Sequence, residues 1–447
     1  MKKGSYISRK FVMTGVCILL LIPLAGGQER KLTLQEAMDL ALRQNRTVQI
    51  AHDGVVAELE KQRGARSDYF PTITNDSSAL YVTDLQRVQI PPGTFGTTPS
   101  IPSSTVFLTQ GRNAFQSSGT MLAQPLTQLI KIHEANKIAA ADVGISQASL
   151  KKASADVVYS VHELYYQLLI MQLQRKSAQL QIASSNENLT ESGEEYKKGS
   201  LLKVGLVESR ANALEAKQAL LKADMQISDL TVQLDDVMGL PLETKLIVDP
   251  EVNTVFDQPA REESLRITLE ENPTVQQAVQ KLSSARAAEA AAKAEYIPDI
   301  TAFGRYSYQN GSPFLDKNFG TFGIHLKYDL FDAGKRSALV RERRAEVSEA
   351  KEDLERTKEE VGVRITTIYN KLETTRAMVE VAREDLAARQ ENARLSDEQY
   401  KRGVLLTSQR DASHAHAMKA QAGFLEASLD YLLTRDELTR TLGRTTP

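Results

Sequence analysis

The chain reads YKKGSLL at Tyr196–Leu202 and YKRGVLL at Tyr400–Leu406. The two stretches lie 204 positions apart, and their flanks follow at the same spacing: Leu126 with Leu330, Lys131 with Lys335, Ala183 with Ala387, Ala211 with Ala415 and Gly239 with Gly443. Earlier in each copy the spacing is 227. There Asn45-Arg46-Thr47-Val48 answers Asn272-Pro273-Thr274-Val275, Tyr69-Phe70-Pro71 answers Tyr296-Ile297-Pro298, and Tyr81 answers Tyr308. The sequence is therefore a tandem duplication whose first copy carries 23 more residues between Tyr81 and Leu126. Two long copies are a duplicated domain, not a solenoid of short repeats.

Each copy runs through the same textures. A helical stretch comes first, 34–69 and 263–296, and Pro71 and Pro298 end it, since proline cannot continue a helix. The period then changes to two. Ile300, Ala302, Gly304, Tyr306 and Tyr308 alternate with Asp299, Thr301, Phe303, Arg305 and Ser307, and Gly320, Phe322, Ile324, Leu326, Tyr328 and Leu330 alternate with polar partners. These are strands with one apolar face, of a length that suits a tilted membrane strand. The first copy is fainter, with Ile73, Ala79 and Tyr81 at matching places. Very long helices follow. Val347, Leu354, Val361 and Ile368 recur every seven residues, as do Ile365, Leu372, Val379, Leu386, Ala393 and Tyr400. Two heptad stripes without a proline indicate an antiparallel coiled coil. Gly199 and Gly403 allow the chain to reverse, so YKKGSLL and YKRGVLL are the tips of two helical hairpins.

Charged residues make up 25% of the 447, the net charge is −2, and aromatic residues are 6% with no Trp. No basic footprint for nucleic acid shows, and few aromatics suit thin packing between long helices. Lys2, Lys3, Arg9 and Lys10 precede an apolar stretch of fourteen, Phe11–Leu24, and Ala25-Gly26-Gly27. This predicts a secretory signal peptide over 1–27. The single cysteine, Cys17, falls inside it, so the exported chain is expected to carry no disulfide.

Four strands with an apolar face cannot stay open in a membrane, because unpaired backbone groups are costly in hydrocarbon. Nor can four close alone, since about eight make the smallest barrel. Several chains must share one barrel. At this point the chain resembles the TolC-like outer-membrane efflux protein family: LTLQEAMDLALRQN from Leu32, the paired YFP and YIP, QPL at Gln124, LFDAGK at Leu330 and the two YK(K/R)G tips occur in order. The first copy departs at Thr127-Gln128-Leu129-Ile130, where the second has Phe331-Asp332-Ala333-Gly334. The resemblance implies a mainly α protein with a membrane β-barrel part. It is a duplicated strand-helix unit whose coiled-coil hairpins form an α-barrel and whose four strands join a homotrimeric, 12-stranded β-barrel. The expected layout is a first repeat at 28–240 (strands 72–83 and 117–126, hairpin 128–238, tip 196–202), an equatorial connector at 241–260, and a second repeat at 261–447 (strands 299–309 and 319–330, hairpin 333–442, tip 400–406). The 23 extra residues then form a turn-rich loop at the outer mouth.

The same resemblance implies an outer-membrane exit duct of a tripartite efflux or type I secretion system. Its partners would be outer-membrane lipid, a periplasmic adaptor and an inner-membrane transporter that supplies the energy. The adaptor would dock at Gly199, Leu201, Leu202, Gly403, Leu405 and Leu406. The resemblance also implies acids just after the tip glycine and polar ties from the tip tyrosine, Tyr196 and Tyr400. Six residues after each glycine, where a well-known member carries acids, stand Gly205 and Gln409; the nearest acids are Glu208 and Asp411, with Asp411 expected to face inward. The alternative is a secreted structural coiled coil or a periplasmic adaptor. No enzyme, cofactor or metal motif emerges. Asp332-Ala333-Gly334-Lys335 lacks the earlier glycine of a phosphate loop and has Arg336 at its Ser/Thr position, and His414 and His416, two apart, point to different helix faces.

Overall fold

The computed structural model describes residues 30–444 except Gln86, Gln110, Glu243, Lys245, 250–259 and 312–315. The expected signal peptide with Cys17, and more than half of the connector, lie outside the described residues. The first repeat contains β1 (Arg30–Leu32), α1 (Leu34–Gln44), α2 (Arg46–Ser67), β2 (Thr72–Tyr81), β3 (Arg87–Ile90), β4 (Gly96–Thr97), β5 (Ser100–Ile101), β6 (Val106–Thr109), β7 (Ala114–Pro125), α3 (Leu129–Lys197) and α4 (Lys203–Met238). After β8 (Leu246–Val248) come α5 (Arg261–Glu271), α6 (Pro273–Ala294), β9 (Asp299–Asn310), β10 (Asn318–Lys327), α7 (Lys335–Lys401) and α8 (Thr407–Thr441). No helix among the described residues is long and apolar enough to cross a membrane.

At about 1.5 Å per residue, the 69 residues of α3 and the 67 of α7 each extend roughly 100 Å. The heptad stripes are what α7 buries: Leu354, Val361 and Ile368 from one, Ile365, Leu372, Val379 and Ala393 from the other. Near the strands α3 packs against α2 and α6, with Asn136 donating to the Ala65 carbonyl at 2.8 Å and Gln277 to Ser149 at 2.8 Å. Toward the tips it packs against α4 and α8 instead, through Arg175–Asp224 at 2.5 Å and Ser184 to the Ser408 carbonyl at 3.1 Å. The helices thus form a layer, α4–α3–α8–α7 toward the tips and α2–α3–α6–α7 toward the strands.

The largest core lies where the repeats meet. Tyr165, 1% exposed, donates to the Leu32 and Asp249 carbonyls at 2.9 Å and accepts from the Asp249 amide at 3.0 Å, which fastens the parallel β1–β8 pair to α3. Burial pushes the Tyr165 phenol up to about 12. Buried His162 on α3 meets Asp436 on α8 at 2.6 Å, a polar bond between the repeats.

One difference from the sequence reading recurs in both copies. The first helical stretch is not continuous but breaks at Asn45 and at Asn272, whose backbones are extended. Each asparagine caps the following helix: Asn45 Oδ1 accepts from the Thr47 and Val48 amides, Asn272 Oδ1 from those of Thr274 and Val275. Each side-chain amide donates to the end of a hairpin's return helix, Asn45 to Val237 O at 2.9 Å and Asn272 to Thr441 O at 2.7 Å. The glycine two residues on, Gly239 or Gly443, has φ +70° or +76° and sits against Gln44 or Glu271. A Cβ on Gly443 would lie 2.6 Å from the Glu271 carbonyl oxygen. This clasp occurs once per repeat, on duplicated residues.

The strands form one antiparallel sheet in the order β10–β9–β7–β2. Its register puts Ile300, Ala302, Gly304 and Tyr306 opposite Leu326, Ile324, Phe322 and Gly320, so the apolar rows of β9 and β10 share a face. On that face the first copy has Asn75, Ser77, Ser118 and Thr120, which bond to one another. The inserted residues form an ordered extension rather than a loose loop: β3 pairs with β6 and β4 with β5, with Val88, Ile90, Val106 and Leu108 on one face. At the corner into α7, Asp332 accepts from Arg336 Nε and the Arg336 and Gly334 amides, and the Arg336 guanidinium holds its carboxyl down at about 2. The first copy meets the same need differently, with the Thr127 hydroxyl bridging Pro298 O at 2.7 Å and the Ile300 amide at 2.8 Å.

Candidate functional site

The tips are single reversals. Gly199 and Gly403 adopt φ +77° and +74°, and the following amides return to Glu195 O and Gln399 O at 3.0 and 3.1 Å. Leu201 and Leu405 are half-buried, and Leu201 lies over Gly205, where a Cβ would come within 2.8 Å of it. The outward apolar groups are Leu202, 77% exposed, and Leu406, together with Val204 and Val404. Of the six residues singled out for docking, Leu201 and Leu405 therefore help close their hairpins, while Leu202 and Leu406 face out.

A repeated serine pair closes each coil behind its tip, Ser192–Ser209 at 2.8 Å and Ser396–Ser413 at 2.9 Å. The hairpins are tied to each other by Glu191 of α3, which accepts from both the amide and the hydroxyl of Ser408 in the first turn of α8. A carboxylate there faces the positive end of the helix.

Arg410, which the sequence reading passed over, joins two predicted gate residues. Its guanidinium is 4.4 Å from the Tyr400 ring centroid and bonds Asp411 at 2.6 and 2.9 Å. The Asp411 charge is therefore offset within its own chain. Thr407 donates to the Tyr400 hydroxyl at 3.5 Å, and Gln409 accepts from the Leu406 amide at 3.4 Å. The first hairpin has no such cluster among the described residues: Glu208 and Tyr196 are exposed, and Glu208 forms no ion pair. Ten residues and a turn separate Tyr400 from Arg410, so only the fold could reveal their contact.

The sheet has one face without charge. Across β2, β7, β9 and β10 every charged or ionisable acid and base (Asp76, Asp299, Arg305, His325 and Lys327) falls on the other face. Phe322, 91% exposed, Ile324 and Leu326 stand on the uncharged face with nothing covering them in the single chain. β2 and β10 end the sheet, each with an unpaired edge.

These features describe a duplicated strand-and-hairpin chain with two open edges. Residues 265–444, nearly all of the second repeat, match the family described as outer membrane efflux protein. The fold is shared with a membrane protein from Pseudomonas aeruginosa (TM-score 0.74, 16% identity, 92% of this chain and 90% of that one). It is shared also with the outer membrane protein VceC of Vibrio cholerae (0.71, 14%, 92% and 96%) and with the Campylobacter jejuni outer membrane channel CmeC (0.71, 13%, 92% and 85%). No curated protein matches the chain. The resemblance to the TolC-like outer-membrane efflux family thus rests on the second repeat in sequence and on both repeats in fold.

Proposed function

We propose that the chain is one protomer of a homotrimeric outer-membrane efflux channel, a passive duct that continues into the periplasm as a helical tunnel. The observation that carries this reading is the position of the open edges. On one side the layer ends in β2, α2 and α4; on the other it ends in β10 and α7. α4 exposes Val207, Leu214 and Leu221 at heptad spacing, and α7 exposes Val381 and Leu395. Unlike edges on opposite sides suit a head-to-tail ring, in which β2 of one copy pairs with β10 of the next and α4 packs on α7. Three copies give twelve strands, enough to close a barrel, with the uncharged face toward lipid, where charge is costly.

A duct of this kind performs no bond chemistry and takes its driving force from elsewhere. The outward Leu202, Val204, Val404 and Leu406 suit a periplasmic adaptor that links the tips to an inner-membrane transporter. The tips are also the site at which the duct would close, through Tyr400–Arg410–Asp411 in one hairpin and Glu208 in the other. Reconstitution tests the reading: purified protein should insert into planar bilayers and conduct in discrete steps. Protein that stays in the periplasmic fraction and never conducts would favour a soluble coiled-coil role instead.

A further inference from the structure

Arg305 lies at the centre of the charged face of the sheet, on β9, and its side chain runs flat across β7. Its guanidinium occupies the space above Gly119: a Cβ there would lie 2.6 Å from Nη2 and 2.8 Å from Nε. A Cβ at 119 would oblige the guanidinium to move aside. At the repeat-equivalent Gly323 of β10 a Cβ would lie 3.4 Å from the Phe303 ring, an ordinary contact, so the tight seat is peculiar to Gly119. Arg305 is exposed and in no ion pair. On the same face Asp76 of β2 lies directly opposite Gly119, two residues off the Thr74–Met121–Arg305 row, and it is not bonded to Arg305 either. Asp299 is taken up by Lys131 at 3.1 Å. His325 and Lys327 of β10 share the face. Apart from histidine, the free charges of this wall are therefore Arg305 and Lys327 against Asp76.

We propose that Arg305 is a selectivity-setting residue of the strand-walled segment, a fixed guanidinium that favours small anions and anionic solutes in transit. The inference rests on the channel reading, which turns the charged face to the lumen and repeats Arg305 three times around one axis. A cation held at a water-filled wall raises the local concentration of anions, and salt screens the effect. Asp76, on the same face, partly offsets that field.

The test is the reversal potential of reconstituted channels in a KCl gradient at low and high salt. Arg305→Gln should lower anion-over-cation permeability severalfold at low salt and much less at high salt. Arg305→Lys should keep most of it, and Asp76→Asn should raise it. Gly119→Ala, which displaces the guanidinium without removing charge, should change unitary conductance more than selectivity. Channels of Arg305→Gln that conduct with unchanged selectivity overturn the proposal and leave the duct intact. Wild-type protein that forms no channel overturns the duct and the proposal together.

Discussion

Replacing Asn272 by alanine tests the clasp that joins each hairpin to its strand-proximal helices. The change deletes two cap hydrogen bonds, from the Thr274 amide at 2.8 Å and the Val275 amide at 3.1 Å. It also deletes the donor to Thr441 O at 2.7 Å. Loss of an N-cap asparagine costs about 1 kcal/mol, and a buried carbonyl left unpaired adds roughly 1–3 kcal/mol. Asn272 is 7% exposed and Thr441 5%, so water cannot readily replace the missing partner. The expected loss is about 2–4 kcal/mol per protomer. Asn45 makes the same bonds but is half-exposed, so Asn45→Ala should cost roughly half as much, since solvent can satisfy Val237 O. Asn272→Ser keeps a cap acceptor but cannot reach Thr441, and should fall between wild type and alanine. Urea unfolding of the detergent-solubilised protein, followed by far-UV circular dichroism, gives the three differences. A cost below about 0.5 kcal/mol for Asn272→Ala, the usual range for inert surface changes, would refute the clasp. A larger cost at Asn45 than at Asn272 would refute the burial argument.

Asp235 is fully buried near the end of α4, and burial pushes its carboxyl up to about 6, with the Thr244 backbone pulling the other way. A raised acid binds its proton more tightly folded than unfolded, so the contribution of Asp235 to stability should be greatest below about pH 4 and be lost as pH rises through about 6. Asp235→Asn should flatten that dependence and stabilise the protein above about pH 6 by on the order of 2 kcal/mol; an unchanged pH profile of the urea midpoint would contradict it. At the tips, Leu202→Ser with Leu406→Ser should abolish export at normal surface level and normal assembly, whereas Leu201→Ser should loosen the hairpin, measurable as faster amide exchange over 195–205. Loss of assembly in the Leu202 and Leu406 variant would instead make these side chains structural. Because Arg410 already offsets Asp411, Glu208→Gln should alter cation selectivity and multivalent block more than Asp411→Asn; the reverse order in single-channel recordings would restore Asp411 as the inward acid.

The coiled coils were legible because burial follows the heptad positions almost residue by residue, from Leu354 to Ala393. The second repeat's strands were legible because Ile300–Tyr308 alternates cleanly. Those of the first were faint for a chemical reason: Asn75, Ser77, Ser118 and Thr120 occupy the uncharged face by bonding to one another, which hydropathy alternation cannot register. The break at Asn45 and Asn272 was missed because the helical pattern resumes immediately, although Pro273 at the first helical position was a local signal. The ordered β3–β6 extension was hidden by its prolines. Arg410 and Arg305 were invisible for a different reason. Each lies against a neighbour from another element, Tyr400 across the tip and Gly119 across the sheet, and no spacing rule anticipates either contact.

The most direct check on the trimeric duct is the mass of the purified protein released from detergent micelles in native mass spectrometry. Three copies closing through β2 and β10 predict a single species of three chains that disperses to monomers when either edge is blocked by proline at a residue whose amide points outward, for example Ile73 or Phe322. Homogeneous monomer that retains the full helical signal would contradict the shared barrel and, with it, the duct.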